Sequence, residues 1–127
     1  MENKYIIDSS VFVAFYYQGD ANHHNAVEIL KSIEESFTVV HPYVVSEVAT
    51  VLAYKVSKKV AEMFIFDIMA TSNMYLITPD IIKESDFFVK QSKKMSFVDT
   101  SLVFWAKRMG VNLITFDKQI LSLLKNK

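Results

Sequence analysis

The chain contains no cysteine, which excludes disulfides, thiolate zinc sites and cysteine nucleophiles together and leaves oxygen and imidazole as metal ligands. Only two glycines and two prolines occur in 127 residues, so loops should be few and short, and the sequence shows no repeat, linker or biased segment. Long hydrophobic runs are missing too. The longest unbroken apolar stretch, residues 11–17, has seven residues, far short of the roughly 18 to 20 that span a bilayer, so no membrane partner is expected. Asp8 stands directly before that stretch and no small-residue cleavage site follows, so the N-terminus does not read as a signal peptide and a cytoplasmic protein is expected. Basic and acidic residues balance at 14 each, so total charge points to no nucleic-acid or membrane partner. The halves differ, however. Residues 1–50 hold two lysines against seven acids, and residues 51–127 hold twelve basic residues against seven acids, an asymmetry that asks for a use.

What the chain does have is apolar substance. Hydrophobic residues make up 51% and charged residues 22% of a 14.6 kDa chain, enough for one buried core, and a single domain over residues 1–127 is expected. The pattern alternates. Residues 4–7, 37–41, 74–78 and 111–116 are short apolar or β-branched runs and read as strands. Residues 11–17, 22–35, 43–54, 57–71, 81–91, 97–109 and 118–124 read as helices. Ser9 or Ser10 is expected to cap the first helix and Gly19 to close it, Ser96 to cap the sixth, and Gly110 to end it. Strands separated by helices need crossover connections, hence a parallel sheet covered on both faces and an α/β, doubly wound architecture.

Four acids fall at junctions, where such a sheet places its ligand sites. Asp8 follows the first strand, Glu47 lies in the first turns of the helix after the second, Asp99 is three residues past Ser96, and Asp117 follows the fourth strand. Each alone is a plausible helix cap or first-turn acid. Together they are not, because two like charges 5 Å apart repel by roughly 3 kcal/mol at an effective dielectric near 20. Converging carboxylates need protons or a cation, and hard oxygen ligands suit Mg²⁺ or Mn²⁺.

Tyr5-Ile6-Ile7-Asp8-Ser9-Ser10, Val45-Ser46-Glu47-Val48, Phe97-Val98-Asp99-Thr100-Ser101-Leu102 and Leu113-Ile114-Thr115-Phe116-Asp117 resemble the four acidic motifs of PIN-domain ribonucleases. The likeness is greatest to the small VapC-type toxins of toxin-antitoxin pairs, and it extends over essentially the whole chain. The resemblance implies about four parallel strands ordered 3-2-1-4 and a Mg²⁺- or Mn²⁺-dependent ribonuclease. It also implies that Asp8, Glu47, Asp99 and Asp117 surround the metal, with Ser9, Ser10 and Thr115 as hydroxyl neighbours. RNA is then the substrate, and an antitoxin protein and a second copy of the chain are the implied partners. The sequence departs from the family in two places: Ser10 stands where many members carry Asn, and only ten residues follow Asp117, which leaves a fifth strand in question.

An acidic pocket repels phosphate unless its rim is basic, which gives Lys93, Lys94 and Lys118 a use as RNA contacts beside their plain reading as solvated side chains. Lys107 and Arg108 suit a helix C-terminus. His23 and His24, adjacent on a helix, point about 100° apart and read as surface residues. His41 reads as a hydrogen bonder at a strand end. Phe64, Phe66, Phe97 and Phe104 sit at core spacing, whereas residues 12–17 and 44–54 carry surplus apolar side chains for a partner face. A haloacid-dehalogenase phosphatase needs a second acid where Ser10 stands, and a receiver domain wants paired acids after the first strand. Neither fits. The remaining alternative is a PIN-like domain that binds RNA or protein without cutting.

Overall fold

The computed structural model describes residues 3–125, so the first and last two positions of the expected domain lie outside the described residues. The elements run β1 (Lys4–Ile7), α1 (Ser9–Tyr16), α2 (His23–Ser32), β2 (Phe37–Val40), α3 (Pro42–Lys55), α4 (Lys58–Ala70), β3 (Met74–Leu76), α5 (Ile81–Lys90), α6 (Phe97–Met109), β4 (Asn112–Ile114) and α7 (Lys118–Lys125). The four strands form one parallel sheet ordered β3-β2-β1-β4, with Ile6 opposite both Val39 and Leu113. The expected fold and strand order hold. β1 and β2 are central and buried on both faces, which is why their sequences are continuous apolar runs; Ile6, Ile7, Val39 and Val40 are buried in the core with Phe12, Phe64, Leu52 and Leu102.

The direction in which successive strands are added to the sheet reverses between β1 and β4. β1 leads to β2 and β3 on one side, and β4 returns on the other. That switch point opens a crevice at the carboxyl ends of β1 and β4, next to Asp8 and Asp117.

Local signals account for most boundaries. Ser57 Oγ accepts from Val60 N–H and Ser96 Oγ from Asp99 N–H, Pro42 opens α3, and Gly110 closes α6 in the left-handed region at φ 66°. Several expectations are corrected. α1 begins at Ser9 with Asp8 in the cap position, and Asp8 makes no side-chain cap bond, because its carboxylate is held by hydroxyls. α1 ends at Tyr16 with Tyr17 extended rather than at Gly19. Gly19 instead lies under the Tyr17 ring, where a Cβ would come within 2.8 Å of it. α2 is shorter than the predicted span of residues 22–35. Phe66 is 67% exposed, not core. Within the expected partner segments, Phe12, Val44, Val48 and Leu52 are interior. The exposed large apolar side chains include Tyr54, Met63, Phe66 and Met69 on α3 and α4. Among the described residues there are four strands, and the chain after Asp117 is helical.

Candidate functional site

Asp8 is brought to the crevice by β1, whose end is pinned when Asp8 N–H donates to Ile114 O at 3.0 Å. Its side chain is 3% exposed. Ser10 Oγ donates to Asp8 Oδ2 at 2.6 Å and Thr115 Oγ1 donates to the same oxygen at 2.8 Å. Oδ1 receives only a long 3.4 Å contact from Ser9, so its lone pairs remain largely unengaged. A buried carboxylate without an ion-pair partner persists when hydroxyls and the start of a helix solvate it, as α1 does here.

The other three acids arrive from separate elements. Glu47 is carried by α3, and its Oε1 accepts from Ser9 Oγ at 3.0 Å. Ser9 has one proton, so the shorter contact to Glu47 takes precedence over the one to Asp8. Asp99 lies in the first turn of α6, with its amide donating to the Ser96 cap at 3.0 Å. Asp117 follows β4; its amide donates to Thr115 Oγ1 at 2.9 Å, and its Oδ1 accepts from Gln119 N–H at 2.8 Å. Asp117 therefore also serves the start of α7, the role a lone acid would have there. Thr115 links two acids, donating to Asp8 and accepting from the Asp117 amide.

Asp8, Ser9, Ser10, Glu47, Asp99 and Asp117 line one cleft of about 300 Å³, joined by Asp20, Asn22 and Phe116. Asp99 feels the cluster most. Its pKa is pushed up to about 6, first by burial and then by the Asp8 charge; Ser96 pulls it down, and Asp117 and Glu47 add to the rise. Negative charge in the cleft is thus undercompensated. Among the described residues no three histidine or acidic side chains already stand close enough together to hold an ion. The chemistry of the donor set nevertheless fits a hard divalent cation, since carboxylates and hydroxyls supply only oxygen and the strained ionisation of Asp99 is what a cation relieves.

Asp20 and Asn22 were not among the predicted site residues. They reach the cleft through the loop between α1 and α2, where Asp20 Oδ1 accepts from Asn22 N–H at 2.8 Å; no spacing in the sequence signals a position set by loop geometry. None of Lys93, Lys94 and Lys118 lines the cleft. Lys93 donates to Ser122 on α7, while Lys94 and Lys118 are exposed. The adjacent histidines stand outside the cleft as well: His23 Nδ1 donates to Ala14 O at 2.8 Å, and His24 pairs with Glu28 on the surface.

Comparison with known proteins agrees with this architecture. The solved structure of VapC20 from Mycobacterium tuberculosis, a sarcin-ricin loop cleaving toxin, is similar in fold, with a TM-score of 0.81 at 20% identity over 94% of each chain. The structure of PAE2754 from Pyrobaculum aerophilum is similar at a TM-score of 0.69 and 19% identity, over 98% of this chain and 87% of that one. No curated protein matches the sequence. Among the described residues no helix is long and apolar enough to cross a membrane. The PIN domain family model matches residues 5–125, all four cleft acids included, and the chain belongs to the PIN domain family.

Proposed function

We propose that the chain is a divalent-metal-dependent ribonuclease, the toxin of a toxin-antitoxin pair acting in the cytoplasm, with Asp8, Glu47, Asp99 and Asp117 as its metal-holding and catalytic residues. The observation that carries this reading is that Asp8, Glu47, Asp99 and Asp117 converge on one cleft from separate elements, a crowding that also raises the pKa of Asp99. Structural neighbours of low identity support the fold; the step to RNA rests on the family and on the cleft.

Mg²⁺ or Mn²⁺ held by these carboxylates would supply a water of lowered pKa and neutralise charge on the phosphate oxygens. The chain's own residues do the rest. Ser10 and Thr115 hold Asp8 by one oxygen and leave the other free, Ser9 orients Glu47, and Thr115 sets Asp117 beside Asp8. Asp99 releases its proton when the cation is taken up, so binding strengthens as pH rises through about 6. Lys94 and Lys118, exposed and without an ion pair among the described residues, draw the RNA backbone toward an otherwise repelling cleft, with Lys93 at their side. The exposed apolar face of α3 and α4 suits a second copy of the chain or the antitoxin.

Cleavage of RNA in Mg²⁺ or Mn²⁺, with and without EDTA, tests the reading. Asp8→Asn should keep the fold and lose about a hundredfold or more of the activity, since even groups behind a metal ligand cost tenfold to a hundredfold. Glu47→Gln and Asp99→Asn should resemble it without adding to it, and Asp117→Asn should be milder because that carboxylate already serves α7. Replacing His23 and His24 by Ala should leave cleavage unchanged. Activity that survives EDTA, or full activity in Asp8→Asn, contradicts the mechanism; metal binding without cleavage of any RNA favours the non-cutting binding domain.

A further inference from the structure

Glu84 sits in the first turn of α5, and both its side chain and that of His41 are 0% exposed. Glu84 Oε2 accepts from Asp80 N–H at 2.7 Å, and Oε1 meets His41 Nε2 at 2.9 Å. His41 is the N-cap of α3, its Nδ1 accepting from Tyr43 N–H at 3.1 Å. A ring nitrogen that accepts an amide proton carries none, so the proton sits on Nε2 and a neutral imidazole donates to the carboxylate. Burial holds the His41 pKa below its ordinary value against the pull of Glu84. For Glu84 burial acts toward the neutral acid, but Ser101, Trp105, His41 and the Asp80 amide outweigh it and keep the carboxyl below its ordinary value. Ser101 Oγ and Trp105 Nε1, buried on α6, contribute to this lowering but complete no hydrogen bond. The carboxylate is therefore hydrogen-bonded to the start of α3 through His41 and to the start of α5 through the Asp80 amide, within the influence of polar groups on α6.

Side chains rather than closely packed backbones hold that junction. α3 packs on α1 and α4, and α5 packs on α6, while backbone contact between these two groups is sparse. A short train of rings runs beside the hydrogen bond, from His41 to Tyr43 at 4.4 Å, Tyr43 to Phe97 at 6.2 Å and Phe97 to Phe88 at 5.4 Å. Tyr43 precedes Glu47 by four residues and shares its face of α3; Phe97 opens α6 two residues before Asp99. A buried carboxylate held only by neutral donors costs more than an apolar side chain of the same volume. Its directional hydrogen bonds give what apolar packing does not, a defined rotation and height of one helix end against another.

We infer that the His41–Glu84 hydrogen bond is a positioning strut that holds the start of α3 against α5 and α6 and so sets Glu47 opposite Asp99 across the cleft. Neither residue lines the cleft, so both act through the acids. The inference rests on the proposed metal-dependent activity.

The test uses the full chain, Mn²⁺ alone as probe, and dissociation constants read from free Mn²⁺ by electron paramagnetic resonance at a temperature where every variant is folded by circular dichroism. His41→Asn keeps an oxygen to cap α3 but does not reach Glu84, and it should weaken Mn²⁺ binding about tenfold. In RNA cleavage kcat should fall with little change in KM for RNA. The double variant His41→Asn with Glu84→Met removes the stranded carboxylate and should regain melting temperature while Mn²⁺ binding stays weak. Ile68→Ala, a core truncation in α4, should lower the melting temperature and leave Mn²⁺ binding at the wild-type value. Wild-type affinity in His41→Asn, or affinity that returns together with stability in the double variant, overturns the strut. A wild-type chain that binds no Mn²⁺ and cuts no RNA overturns the functional reading, and the strut with it.

Discussion

Asp99 holds its proton to about pH 6 because burial and the neighbouring carboxylates, Asp8 foremost, disfavour its charge. Its folded pKa lies above the unfolded value near 4, so the folded state binds the proton more tightly and stability falls as pH rises through that interval. The cost is fully present above about 6 and absent below about 4. Asp99→Asn removes it. In metal-free buffer the variant should therefore melt several degrees above wild type at about pH 8 and at nearly the same temperature at about pH 4, a comparison that calorimetry reads directly. Thr115 serves two acids at once, because a single hydroxyl donates to Asp8 Oδ2 and accepts from the Asp117 amide. Thr115→Val keeps the shape and strips both bonds, and should cost about 1–2 kcal/mol in urea unfolding. Thr115→Ser keeps them and should cost little.

The helices show which local signals act alone. Gly110 takes a left-handed φ of 66° with nothing within 4 Å of where a Cβ would stand, so Gly110→Ala pays only the backbone penalty, about 1 kcal/mol, read as a lower urea midpoint at unchanged slope. Ser57→Ala should cost about as much by freeing the Val60 amide. Caps, a proline at the first position of α3 and helical spacing are properties of a few neighbouring residues, which is why most boundaries were legible. α4 shows where that legibility ends. It is apolar nearly all round, through Val60, Met63, Phe64, Ile65, Phe66, Ile68 and Met69, so several stripes compete. Packing chooses Ala61, Phe64 and Ile68 for the interior and leaves Phe66 outside. At α1 the local signal was outvoted differently: Ser9 and Ser10, good caps by composition, turn their hydroxyls to acids gathered from α3 and the end of β1.

For the molecule as a whole the proposed function makes stability respond to a cation at the cleft acids. At a free Mn²⁺ concentration 100 times the dissociation constant the folded state should gain about 2.7 kcal/mol, and Asp8→Asn should lose most of that gain in the same thermal scan. Tyr54, Met63, Phe66 and Met69 expose apolar surface on neighbouring helices, so a self-associating chain should shift to monomer by light scattering on Phe66→Asp, with the melting curve of the monomer preserved because that side chain lies outside the core.

Strand and helix order, the parallel sheet and the four acids at strand ends and helix starts were determined by the sequence itself, because apolar periodicity, caps and crossover connections act between near neighbours and admit few topologies. Other features were decided by the tertiary structure. It placed Asp20 and Asn22 at the cleft and kept Lys93, Lys94 and Lys118 off its walls. It buried Glu84 against His41, although α5 reads as an ordinary amphipathic helix with that acid among its polar positions. Each of these depends on how elements distant in the chain pack, and burial, charge repulsion and hydrogen-bond geometry take their values only once those elements are in contact.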